Sequence, residues 1–145
     1  MSTMTALTTQ VYSVFIRATP EQIWEAITKP DFTQQYFYGA RIEIRGDRRF
    51  TSIGETQWDE EVLEVDPPSK LVHRFVAAYD AEMGAEEPSR VTWEIEPQES
   101  GITKLTVVHD QLESAPKTAE SVAGGWMYIL SGLKTLLETG KPLAG

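Results

Sequence analysis

Hydrophobic positions along the chain follow two different periods. Residues 10–17 carry Val11, Tyr12, Val14, Phe15 and Ile16 almost without interruption, which predicts a strand covered on both faces. The period then lengthens. Thr19 followed by Pro20 and Gln22 forms a Thr-x-x-Gln capping box with proline at the first helical position, and Ile23, Trp24 and Ile27 supply the buried side of a helix. Lys29-Pro30 ends it, because proline disfavours helical geometry in the residue before it. A second short helix over 31–37 carries Phe32, Tyr36 and Phe37, and Gly39 stops it. From there the period drops to two. Strands are predicted at 41–45, 48–53, 56–65, 70–78, 90–96 and 102–109, and Gly46-Asp47 makes a two-residue hairpin between the first pair.

The last element is a helix over 117–139. Val122, Trp126, Ile129, Leu130, Leu133, Leu136 and Leu137 fall on one face, Gly140 caps its end and Pro142 follows. The order is thus β-α-α-β×6-α. Short connections predict an antiparallel meander, since parallel pairs need crossovers of about a dozen residues or more. A sheet with one apolar face needs a cover, and only the C-terminal helix is large enough. The fold class expected is α+β: one domain over 10–142, preceded by a flexible tail over 1–9.

At 145 residues the chain has the length of one domain and can bury a substantial core. It has no cysteine, which excludes disulfides, thiolate nucleophiles and cysteine metal sites, and fits a cytoplasmic protein. The first ten residues do not read as a signal peptide, and no apolar run is long enough to span a membrane. A net charge of −9 argues against nucleic acid and against an anionic membrane surface as partners. No His/Asp/Glu spacing suggests a metal site, and no glycine-rich phosphate loop or nucleophile elbow is visible, so no metal or cofactor is expected.

Several segments together resemble one family. Thr19-Pro20-Glu21-Gln22-Ile23-Trp24-Glu25-Ala26-Ile27-Thr28 is similar to the opening helix of the START-like superfamily, the birch-pollen-allergen-like or SRPBCC fold. Residues Gly125-Trp126-Met127-Tyr128-Ile129-Leu130-Ser131-Gly132-Leu133-Lys134-Thr135-Leu136-Leu137-Glu138-Thr139-Gly140 resemble the closing helix of one branch, named after the activator of the ninety-kilodalton heat-shock chaperone ATPase. Glu61-Val62-Leu63-Glu64-Val65-Asp66-Pro67-Pro68 and the strand ending Val108-His109-Asp110 fit that branch as well. The resemblance implies a helix-grip fold: a curved sheet wrapped around the last helix, two short helices closing one end, and a cavity that takes apolar ligands. It also brings in polyketide cyclases and a chaperone-contacting module as alternative functions. The co-chaperone itself carries a further N-terminal chaperone-binding domain that is not in this sequence, so ligand binding is expected ahead of chaperone contact.

Within that frame the expected ligand is a small apolar molecule, aromatic, polyketide-like or lipid-like. The candidate ligand-binding residues are Tyr36, Phe37, Trp58, Phe75, Trp93, Trp126, Ile129, Leu130 and Leu133; each, taken singly, is equally suited to ordinary core. His73 and His109 are the only histidines and the candidate general bases for a cyclase or dehydratase, although residue type alone favours a structural role for both. Any of Arg17, Arg41, Arg45, Arg48, Arg49, Arg74 and Arg90 could aim a guanidinium inward to fix a carboxylate or carbonyl, an informative exception, since most arginines are surface charges. Gly124, Gly125 and Gly132 each disfavour a helix by roughly 1 kcal/mol relative to alanine. They offer space for a ligand or a hinge-like fraying, or else mark a close backbone approach or a helix that starts after Gly125, the last two being the reading for Gly124 and Gly125. Asp80, Glu82, Glu86 and Glu87 read as a solvated acidic loop. The assembly expected is a monomer, or a homodimer through a sheet edge or the closing helices.

Overall fold

A computed structural model describes residues 8–144. The tail expected over 1–9 lies almost wholly outside the described residues; Thr8 accepts a hydrogen bond from the Leu112 amide. The elements are β1 (Gln10–Ile16), α1 (Pro20–Thr28), α2 (Pro30–Tyr36), β2 (Arg41–Arg45), β3 (Arg48–Ile53), β4 (Thr56–Asp66), β5 (Lys70–Phe75), α3 (Ala81–Gly84), β6 (Ser89–Pro97), β7 (Thr103–Asp110) and α4 (Pro116–Thr139). The seven strands form one antiparallel sheet in the order β1-β7-β6-β5-β4-β3-β2. It is the expected meander from β2 to β7, with β1 added beside β7. The long helix α4 covers one face. This is an α+β helix-grip fold.

The local signals act as read. Thr19 Oγ1 accepts from the Gln22 amide, and the Gln22 side chain accepts from the Thr19 amide, which closes the capping box. Gly140 ends α4 in the left-handed conformation, with φ of 78°. Four readings need correction. β1 is not covered on both faces: Val11 and Phe15 are exposed, because β1 is an edge strand and its outer face has no layer over it. β5 stops at Phe75 rather than 78, because the Val76 amide donates to Glu60 Oε2 at 2.8 Å instead of continuing the ladder. The acidic segment is not a plain solvated loop. Asp80 caps the single turn of α3, and the Glu86 carboxylate accepts from the Lys117 and Thr118 amides, capping a helix whose own N-cap, Ala115, offers no side-chain acceptor. Lastly, α4 begins at Pro116, one residue from the expected start at 117, so the alternative of a helix starting after Gly125 falls and both Gly124 and Gly125 lie inside it.

One core cluster runs under α4. Leu133, Leu136, Ile129 and Leu130 pack with Ile16, Ile23, Ile27, Leu105 and Ile95. The closing helix α2 approaches α4 at Gly132, where an added Cβ would stand 3.1 Å from Tyr36 Cβ. Tyr36 cannot easily yield, since its hydroxyl donates to the Ala26 carbonyl at 2.6 Å. Gly124 is the opposite case: it is exposed, and a Cβ there would meet nothing within 4 Å.

The two glycines should therefore respond in opposite directions. Gly124→Ala gains helix propensity without a clash and should raise unfolding free energy by about 0.5–1 kcal/mol. Gly132→Ala gains the same propensity but must push α2 away, at about 1–3 kcal/mol, and should lower it. Urea unfolding of the two variants checks both signs.

Candidate functional site

Helix α4 does not fill the concave face evenly. Over β5, β6 and β7 the space is occupied. Trp126 reaches down from α4 and donates its indole N–H to His109 Nδ1 at 2.9 Å. Trp93 on β6 donates in the same way to His73 Nε2 at 3.0 Å. The two indoles meet edge to face, with ring centroids 5.4 Å apart. These bonds assign the tautomers. His73 then donates from Nδ1 to the Arg74 carbonyl at 2.7 Å, and His109 from Nε2 to Ser89 Oγ at 2.7 Å. Each ring is fully buried with both nitrogens engaged.

Over β2, β3 and β4 the space is open. A cavity of about 420 Å³ lies between these strands and the N-terminal half of α4. Phe75, Trp126 and Ile129 line it together with the aromatic side chains of Phe37, Trp58 and Tyr79. Phe37 stands edge-on to Trp126 with centroids 6.0 Å apart, and Trp58 is tilted against Tyr79 at 6.2 Å. At the mouth, exposed Tyr38 stacks on Tyr128, and its hydroxyl lies 3.8 Å from where a Cβ on Gly125 would be. Gly125 lines the cavity, so the space it leaves is part of the hollow.

Of the residues expected to bind ligand, Phe37, Trp58, Phe75, Trp126 and Ile129 line this cavity. Tyr36, Trp93, Leu130 and Leu133 do not; they are buried in the core cluster beside it, on parts of the sheet and of α4 that are packed shut. His73 and His109 do not line it either. Burial drives the His73 pKa well below its ordinary 6.5, reinforced by the nearby Arg49 charge. Burial likewise lowers His109, to about 4, against the opposing pull of Asp110. Both are neutral structural imidazoles at physiological pH.

Besides Tyr79, the sequence did not single out two polar wall residues, although Arg49 stood among the seven arginines weighed as inward charges. One is the inward arginine: Arg49, 3% exposed, lines the cavity and donates to Glu60 Oε1 at 2.6 Å, across the strand pair from it. Glu60 is also buried, and its second oxygen takes the Val76 amide, so the ion pair is hydrogen-bonded on both sides. The other is Thr51, opposite Trp58 on the adjacent strand. A signal for both was present. The turn at Gly46-Asp47 places Ile44 opposite Arg49 and Ile42 opposite Thr51, and directly opposed residues share a face. Phe50 misleads, since it looks like the core residue of β3; it sits on the other face, with the Arg45 guanidinium 3.9 Å above its ring. Thr51 Oγ1 and Trp58 Nε1 are buried without a hydrogen-bond partner, a condition that costs about 1–3 kcal/mol each.

With fold and cavity described, comparison with known proteins places the chain. Residues 17–138 match the family described as Activator of Hsp90 ATPase homolog 1-like protein. The chain belongs to this family. Among curated proteins no sequence matches it. Similar solved structures include the protein MLL2253 from Mesorhizobium loti, 25% identical, with a TM-score of 0.72 over 90% of this chain and 96% of that one. DynU16, from the dynemicin biosynthetic locus, is 24% identical with a TM-score of 0.72; the match covers 93% of this chain but 49% of DynU16. The Aha1 dimer from Colwellia psychrerythraea is 19% identical, with a TM-score of 0.71 over 92% of this chain and 98% of that one. Like these structures, the chain has the START-like, helix-grip architecture. Among the described residues no helix is long and apolar enough to cross a membrane, and no group of three or more His, Asp or Glu is placed to hold a metal ion.

The neutral histidines make the fold acid-sensitive. Between the folded value of about 4 and the ordinary 6.5, the unfolded chain binds a proton at His109 that the folded chain refuses. The corresponding stability is complete above 6.5 and declines as pH falls toward 4, by about 3 kcal/mol from His109, with His73 adding to the loss. Urea unfolding at pH 7, 5.5 and 4.5 should show this decline. His109→Asn should lower stability at pH 7 yet flatten the pH slope by about one proton.

Proposed function

We propose that this domain binds a small, flat, largely apolar molecule in the cavity between α4 and β2–β4, and carries, senses or sequesters it. The observation that carries this reading is the cavity: about 420 Å³, with Phe37, Trp58, Phe75, Tyr79 and Trp126 among its lining. Aromatic walls favour a planar ligand, and the size lies within the usual range for small-molecule sites. Apolar burial at about 25 cal/mol per Å² supplies the driving force. DynU16, of the same fold, comes from a biosynthetic locus, in keeping with a domain that holds a small molecule.

The enzyme alternative, a cyclase or dehydratase with His73 or His109 as base, draws no support from the site, because neither ring enters the cavity and no ring nitrogen is free. Contact with a chaperone as the sole role would call for an exposed patch instead of a hollow. A wall built to enclose an apolar molecule favours binding.

The test is titration with the neutral fluorophore N-phenyl-1-naphthylamine, followed by its emission. One saturable site with a dissociation constant on the order of micromolar is expected. Val122→Phe, which projects a ring from α4 into the cavity, should weaken binding at least about tenfold while the fold survives, since the added bulk enters existing space. Failure of the fluorophore and of a panel of aromatic and lipid-like compounds to bind would overturn the reading.

A further inference from the structure

The cavity lining is mostly apolar, and its buried polar groups gather along β3 and β4. There Arg49, Thr51 and Trp58 stand together: Arg49 and Thr51 two residues apart on one face of β3, and Trp58 directly opposite Thr51 on β4. Among the described residues, Thr51 Oγ1 and Trp58 Nε1 are the buried side-chain polar atoms that lack a hydrogen-bond partner. Comparable groups elsewhere are satisfied: Thr33, Ser89, Thr103, Thr118 and both histidines all have partners. Arg49 gives one N–H to Glu60 and makes no other hydrogen bond among the described residues, so donors of its guanidinium remain. Unsatisfied buried groups are rare in folded proteins, and two on adjacent strands of one cavity wall call for a missing partner.

The chemistry of that partner follows from the donors. An indole N–H and a guanidinium can only donate, and a threonine hydroxyl can donate, so the group they await is an acceptor. Its charge follows from Glu60. The Arg49–Glu60 pair is already neutral, and a carboxylate placed there would be a second buried negative charge beside a single positive one. We propose that the cavity selects a neutral aromatic molecule bearing a carbonyl oxygen, with that oxygen received by Thr51, Trp58 and the remaining N–H groups of Arg49. This rests on the reading of the cavity as a ligand site and specifies which class of ligand it takes.

Three probes of nearly equal shape test it, each measured by displacement of N-phenyl-1-naphthylamine: 2-acetylnaphthalene, 2-ethylnaphthalene and 2-naphthoate. The ketone should bind at least about tenfold more tightly than the ethyl compound, because only it satisfies the waiting donors. It should also bind more tightly than the carboxylate. Thr51→Val, which keeps the shape and removes the hydroxyl, and Trp58→Phe, which removes the indole N–H, should each shrink the ketone-to-ethyl ratio about threefold or more. The ethyl compound should still bind both variants measurably, somewhat more weakly where Trp58→Phe trims the wall, which shows that the cavity is intact. Equal affinity of ketone and ethyl compound in the parent, or a ratio unmoved in both variants, would overturn this inference and leave the cavity reading standing. Tighter binding of 2-naphthoate than of the ketone would overturn the neutral-acceptor assignment. If none of the three displaces the bound fluorophore, the inference falls alone; if the fluorophore and the wider panel also fail to bind, the cavity reading falls with it.

Discussion

The fold is held by two neutral imidazoles inside an aromatic core. His109 ties α4 to β7 through Trp126, and His73 ties β5 to β6 through Trp93. Each ring must accept from an indole at one nitrogen and donate at the other, and only the uncharged form can do both. Burial enforces that form, and the form in turn satisfies every polar atom in this part of the core. The helix is therefore seated on the β5–β7 half of the sheet with a fixed rotation about its axis. That rotation decides which α4 residues look toward β2–β4.

The cavity is the counterpart of this seating. Trp126 is used up on His109, and the inward side chains of β3 and β4 include Arg49, Thr51 and Glu60, none of which fills space as leucine would. Glu60 has a second effect, because its carboxylate captures the Val76 amide and ends β5, after which the chain leaves the sheet toward Tyr79 and the α3 turn. A buried ion pair is weak evidence for stability, since well-packed apolar residues can do as well or better. Here it orients a guanidinium at the wall of a hollow, which apolar packing could not do.

Membership of the Activator of Hsp90 ATPase homolog 1-like family accounts for the architecture and leaves the use of the cavity to its own side chains. Most element positions were legible locally: the capping box at Thr19, the hairpin at Gly46-Asp47, the amphipathic stripe from Val122 to Leu137. The misreadings came where a distant group overrode local preference. Glu86 caps α4 from across a loop, so a segment that reads as a solvated acidic loop anchors the start of the helix. Val11 and Phe15 look like core but sit on an edge strand with nothing over them.

The sequence by itself determined the order of elements, the antiparallel meander, the covering helix and the supply of aromatic residues, because these depend on periodicity, capping and turn chemistry among near neighbours. Only the tertiary structure decided that Trp93 and Trp126 serve the histidines, that Tyr36, Leu130 and Leu133 close the core, and that Arg49 and Thr51 face the hollow. Those outcomes depend on how α4 rotates against the sheet and on which of two faces a strand with mixed character turns inward. Both are settled by contacts between residues as much as 121 positions apart in sequence, such as the Arg17 amide with Glu138 and the Tyr12 hydroxyl with the Ala123 carbonyl, and local patterning carries no information about them.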